Sequence, residues 1–176
     1  MTSVQIAIQV TQICSSVTLG QVNAETEEAP MEFPQFDPQV AGQVLGAATD
    51  VGGISAYLGF RHAELSAGRL IAEMEVRDEL LTPFRTLHGG CLSAMVDHCL
   101  GVVFYPVIPT GCWVATTEFK INLLRPVTAG VCIATADIIA LTRRSGVARI
   151  DITNDGRPVC AAQGTVTIVS DGGGSS

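Results

Sequence analysis

The residues best placed to do chemistry lie within one short stretch. His88-Gly89-Gly90 opens a long apolar run, and Asp97 sits in its middle, followed by His98. Paired glycines at a helix start let the backbone come close to a ligand. The first amides of a helix have no intrahelical acceptor, and they lie at its positive end. Amides of that kind can stabilise the oxyanion of a tetrahedral intermediate. A carboxylate in an apolar helix is costly unless it is paired or used. Either feature alone has an ordinary reading, the glycines as a turn and Asp97 as a solvated position or a partner of His98. Ser93 has no G-x-S-x-G surroundings, so the nucleophile-elbow chemistry of serine hydrolases is excluded. His88 is read as a polar group orienting the glycine loop, and His62 and His98 as structural or exposed.

The elements that must position these residues follow from the patterning. Gly90 to Tyr105 is too long for one strand of usual length and is expected to be one long helix, apolar nearly all round and buried on most sides. Leu70, Ala72, Met74 and Val76 alternate with Ile71, Glu73, Glu75 and Arg77, the pattern of a half-buried strand. Gly68 suggests a hairpin joining it to Ser55 to Glu64. Similar alternation recurs over 118–123, 134–138, 148–153 and 165–168. Turns are expected at Arg143-Arg144-Ser145-Gly146 and Asn154-Asp155-Gly156. An Asp37-Pro38 pair predicts a short helix with Asp37 as N-cap. Two strands, a buried helix and a run of antiparallel strands predict an α+β fold, one long helix wrapped by a curved antiparallel sheet.

Composition narrows the function. The chain has 176 residues, a net charge of −7 and 47% hydrophobic residues. Its pI is about 4.8 and its mean hydropathy is +0.38. That size suits one domain, and such apolarity suggests surface buried in an oligomer. An acidic chain lacks the basic face that bulk nucleic-acid binding needs. The first 60 residues hold no Lys or Arg, so the basic start of a secretory signal is missing. Asp97, His98 and Pro106 interrupt the apolar run as a membrane span. The six cysteines, at 14, 91, 99, 112, 132 and 160, form no C-x-x-C pair. They are read as buried free thiols in a reducing cytoplasm, with no metal site and no cofactor. Residues 1–36 are expected to be an acidic, flexible extension, 37–170 the domain, and 171–176 a loose tail.

The segment RTLHGGCLSAMVDHCLG resembles the His-Gly-Gly…Asp signature of hotdog-fold thioesterases of the PaaI and 4-hydroxybenzoyl-CoA type. The resemblance extends from about Ile54 to Val169 and includes ATTEFKINLLRPVTAG after the helix. It implies a hotdog fold and acyl-CoA hydrolysis. It also implies Gly89 N–H as the group polarising the thioester carbonyl, with Gly90 beside it, and Asp97 as nucleophile or general base. Thr116 matches the residue that helps hold the attacking water. Thr82 stands where many members carry Asn, and a threonine still donates one hydrogen bond. Arg143 and Arg144, and more weakly Arg125, are candidates for the phosphates of coenzyme A. Phe60, Phe84, Phe104 and Tyr105 could line an aromatic pocket or the core. Two rivals remain: a hotdog hydratase or dehydratase, whose usual catalytic His does not match this signature, and a non-catalytic acyl-CoA-binding hotdog protein.

Gly89 and Asp97 are eight residues apart, hence roughly 12 Å along one helix. Both can hardly reach one carbonyl carbon. If both act, they come from different subunits, and a homodimer, or a dimer of dimers, is required. Such dimers, with two sites at the interface, are also what the resemblance implies.

Overall fold

The computed structural model describes residues 31–47 and 52–170. Residues 1–30 of the expected extension over 1–36, the tail over 171–176 and Cys14 lie outside them. The compact unit begins at Glu32. Phe33 and Phe36, just ahead of the first helix, pack against its core.

Three helices and six strands make up the described chain. Helix α1 is Pro38–Ala47, α2 is Gly53–Leu58 and α3 is Gly89–Val102. The strands are β1 Arg61–Ser66, β2 Arg69–Glu75, β3 Cys112–Leu123, β4 Val131–Leu141, β5 Ser145–Asn154 and β6 Arg157–Ser170. Short 3-10 turns occupy Asp78–Leu80 and Tyr105–Val107. Helix α1 starts as its sequence dictates: Asp37 Oδ1 accepts from Gln39 N at 2.8 Å and Val40 N at 3.3 Å, with Pro38 in the first helical position.

All six strands pair antiparallel in one sheet, in the order β1-β2-β4-β5-β6-β3. Alternation decides which side faces α3. Leu70, Ala72 and Met74 point inward from β2, Cys132, Ala134, Ala136 and Ile138 from β4, and Ala148, Ile150 and Ile152 from β5. Many of these are small, which lets the sheet curve closely around the helix. Gly164 lies close against it: a Cβ there would stand 2.6 Å from Leu100 Cδ2 and 2.7 Å from the Glu118 carbonyl oxygen. Bulges between Thr116 and Glu118 and between Ile138 and Ala140 add bend. The β5–β6 turn carries Asp155 at φ 50° and Gly156 at φ 71°, the paired positive φ of a two-residue type I′ hairpin.

Two expectations need correction. Ser55 to Phe60 does not continue the hairpin: Gly53–Leu58 is helical and closes at Gly59, φ 73°, whose N–H reaches the Ala56 carbonyl. Arg77 holds that end of α2 from a distance, donating to the carbonyls of Leu58 (3.3 Å) and Tyr57 (2.5 Å). Helix α3 is buried on one face only, through Leu92, Met95, Val96, Cys99 and Leu100. The segment Gly89–Val107 is long and apolar enough to cross a membrane, but here it is the core helix of the curved sheet.

Candidate active site

The site begins at the start of α3. His88 is the N-cap, and its Nδ1 accepts from Gly90 N at 2.8 Å. The His88 carbonyl accepts from Cys91 N at 2.9 Å. A Cβ on Gly90 would stand 2.9 Å from His88 Nδ1, so this glycine makes room for the cap. Two of the first three amides are thereby used inside the chain. The third, Gly89 N–H, has no acceptor among the described residues. Gly89 lines a cavity of about 230 Å3 together with Thr86, Leu87, Leu92, Leu123 and Arg125. One uncommitted amide at the positive end of a helix thus borders an open cavity.

Thr82 stands one step behind this cavity. Its Oγ1 is 3.1 Å from Thr86 Oγ1, and its N–H donates to the Thr86 carbonyl at 2.7 Å. The loop these bonds close carries Arg85 at φ 61° and Phe84, which is 88% exposed. Phe60 and Phe104 are fully buried and belong to the core.

Asp97 is not buried within the protomer. It lies on the face of α3 turned away from the sheet, exposed like Gly90, with half-buried Gly101 one turn on. Among the described residues it joins no ion pair. Strand β3 runs antiparallel alongside α3: Leu123 Cδ1 is 2.7 Å from a Cβ built on Gly89, and Val114 Cγ2 is 3.9 Å from one built on Gly101. Thr116 shares the face of Val114, two residues on, while Asp97 is one turn before Gly101. Thr116 therefore falls level with Asp97, at the β3 bulge. The structure brings Gly89 and Arg125 together at one end of α3, and leaves Asp97 exposed midway along the helix and Thr116 exposed on β3.

The arginines divide between the ends. Arg125 lines the Gly89 cavity and donates to the Pro158 carbonyl at 2.6 Å. Arg143 and Arg144 are exposed in the β4–β5 turn, next to Gly146, which packs against Phe104 beyond the far end of α3. Arg61, Arg69, Arg77, Arg85 and Arg149 are in ion pairs, whereas Arg125, Arg143, Arg144 and Arg157 are in none among the described residues. Arg157, given no role from the sequence alone, adjoins the Pro158 carbonyl that Arg125 holds. Its signal was a cation placed directly after a tight turn.

The buried thiols are poor nucleophiles. Cys91, Cys99, Cys112, Cys132 and Cys160 are free, and burial pushes Cys99 up to about 12 and Cys132 and Cys160 up to about 11. No group of three or more metal-ligating side chains occurs among the described residues.

The profile of the thioesterase superfamily matches residues 84–161, a span containing the loop, α3 and β3. A 1,4-dihydroxy-2-naphthoyl-CoA hydrolase of Listeria monocytogenes is 25% identical over 117 residues, covering 66% of this chain and 95% of that protein. A thioesterase of Pseudomonas aeruginosa superposes with a TM-score of 0.67 at 29% identity, covering 72% of this chain and 92% of the other. The PaaI protein of the Escherichia coli phenylacetic acid degradation operon shares the fold, with a TM-score of 0.68 at 23% identity over 75% of this chain and 95% of the other. With one central helix in a six-stranded antiparallel sheet, this chain has the hotdog fold of these thioesterases, and its segment 84–161 matches the thioesterase superfamily profile.

Proposed function

We propose that the protein hydrolyses an acyl-CoA thioester to the free acid and coenzyme A at sites shared between two subunits. The observation that carries this reading is the uncommitted Gly89 N–H at the mouth of a cavity. It would donate to the thioester oxygen and gain strength as charge develops there. Asp97 of the partner subunit supplies the carboxylate, as nucleophile or as base toward a water held with Thr116.

Two features support the second subunit. The roughly 12 Å helical rise between Gly89 and Asp97 keeps them apart within one chain. Strand β3 ends the sheet, and along it Trp113 is 44% and Leu123 54% exposed. An unpaired edge strand of 12 residues is suited to pairing with another copy. Arg125 and Arg157 lie at the Gly89 end and Arg143 and Arg144 at the other. A bound coenzyme A would meet the first pair from one subunit and the second from its partner. We place the protein in the cytoplasm, a reading its free thiols favour.

The test is release of free coenzyme A from aromatic, short-chain and long-chain acyl-CoAs, with Asp97→Ala as control. The reading expects turnover of at least one class, cut by about 10³ or more in the variant, a barrier change of about 4 kcal/mol. A folded Asp97→Ala protein as active as wild type would remove Asp97 from the mechanism. Binding without turnover across the panel would favour the non-catalytic alternative.

A further inference from the structure

Beside Asp97, on the flank of α3 opposite β3, lies a polar cluster that the reaction does not use. His62 Nε2 and His98 Nε2 are 2.7 Å apart. His62 Nδ1 is 3.2 Å from the Val44 carbonyl oxygen, and Ser55 Oγ is 3.1 Å from His98 Nδ1. The two imidazoles meet edge to edge, centroids 5.0 Å apart and planes within 21°, and the Phe60 ring lies 5.0 Å from that of His98.

The bonds fix every proton. A carbonyl only accepts, so His62 Nδ1 carries a hydrogen, and a neutral His62 has a bare Nε2. His98 must then donate from Nε2, which leaves its Nδ1 to accept from the Ser55 hydroxyl. The result is a directed relay, Ser55 to His98 to His62 to the Val44 carbonyl, joining α2, α3, β1 and α1. Burial, followed by the nearby His62, holds His98 down at about 4 against a small opposing effect of Asp97. Burial likewise lowers His62. The surroundings supply few other charges. Helix α1 has no ionisable residue and α2 has only Tyr57. On β1, Arg61 is paired with Glu73, and Glu64 accepts from Ser66 at 3.4 Å. Arg77 reaches carbonyls at the end of α2, and the neighbouring thiols on α3 are raised or buried.

We infer that His98 is a positioning residue for Asp97, holding it through this relay. The inference rests on the proposed role of Asp97. The core face of α3 is wholly apolar, and apolar contact is non-directional. Hydrogen bonds at His98 are directional, and they fix the rotation of the helix one residue away from the carboxylate. Turning a helix by about 20° swings a group about 5 Å from its axis by about 2 Å. A displacement of about 1 Å can cost about 10² in rate. One added proton is accommodated, since His98 Nδ1–H can donate to Ser55 Oγ; protons on both imidazoles put two donors face to face and break the relay.

The test compares wild type, His98→Leu, His98→Gln and Ser55→Ala, by kinetics and by nuclear magnetic resonance. His98→Leu keeps the packing; it should lower kcat about 10- to 100-fold with KM within about twofold. His98→Gln, which still hydrogen-bonds, should recover part of the loss. Imidazole nitrogen shifts should show His62 protonated at Nδ1 and His98 at Nε2, and the Asp97 carboxyl carbon should shift in His98→Leu. The opposite tautomers, or an Asp97 resonance unmoved by His98→Leu, would overturn the inference with or without turnover. A wild type that hydrolyses no thioester would defeat the functional reading, while the resonances still decide the relay.

Discussion

Subunit complementation separates a shared site from one built within a single chain. One partner carries Asp97→Ala and the other Gly89→Val. Asp97 is exposed and unpaired, so its loss should change stability by no more than about 0.5 kcal/mol. Gly89 lies outside the positive-φ glycines, and a Cβ there meets Leu123 Cδ1 at 2.7 Å. That atom is the tip of a side chain 54% exposed, which can swing aside, while the valine methyls fill the approach to the amide. Both chains should therefore fold and dimerise. Each homodimer should lose about 10³ in kcat, the upper end of what removing an oxyanion donor costs. After random exchange, half of the dimers are mixed. In a two-fold symmetric dimer one site of each mixed pair holds both defects and the other neither. Activity should climb to about one quarter of wild type per total protein. Coenzyme A release gives the rate, native mass spectrometry the exchange, and thermal melting the fold. Exchange that is complete by mass, with activity still at the level of the parents, would refute a site divided between subunits.

Acidification should lower stability in a window set by the two imidazoles. Both have folded values below the ordinary 6.5, so the unfolded chain binds protons first. Melting temperature should fall from about pH 6.5 toward the value near 4 of His98, at most about 1.4 kcal/mol per pH unit for each imidazole, and less in proportion to its solvent contact. A His98→Leu melting profile as steep as wild type would contradict this. Neutralising Arg143 and Arg144 together should raise KM more than it lowers kcat, because phosphate contacts far from the carbonyl hold ground and transition states alike. Steady-state kinetics with an unchanged KM would return the pair to a solvated turn. Gly164→Leu should destabilise by about 3 kcal/mol or more, since its Cβ already meets Leu100, Phe119 and the Glu118 carbonyl. Urea unfolding near the wild-type midpoint would show that β3 can move away from α3.

What the sequence disclosed was local. Asp37-Pro38 predicts the α1 cap because donor and acceptor are two and three residues apart. Alternation over β2, β4 and β5 shows inward faces because the pleat has a period of two. Ser55 to Phe60 misled, since its end is held by Arg77 from about twenty residues on, and no local period records that. Phe33 and Phe36 look solvated among acidic and proline neighbours, yet they reach the core. Asp97 was legible as a carboxylate in an apolar helix, but its outward direction depended on where the sheet lies. The pairing of His62 with His98 joins residues 36 apart, and folding alone brings them together.

The His88 cap has a consequence for product release. By taking Gly90 N–H, it leaves one free amide at the head of α3. A single amide can polarise a thioester oxygen, but it offers a carboxylate no second amide, and Arg125 of the same cavity is already held by the Pro158 carbonyl. The newly formed acid would also face the negative charge of Asp97. For a hydrolase working at this cavity, the free acid should leave readily and inhibit weakly, and turnover should not slow as acid accumulates.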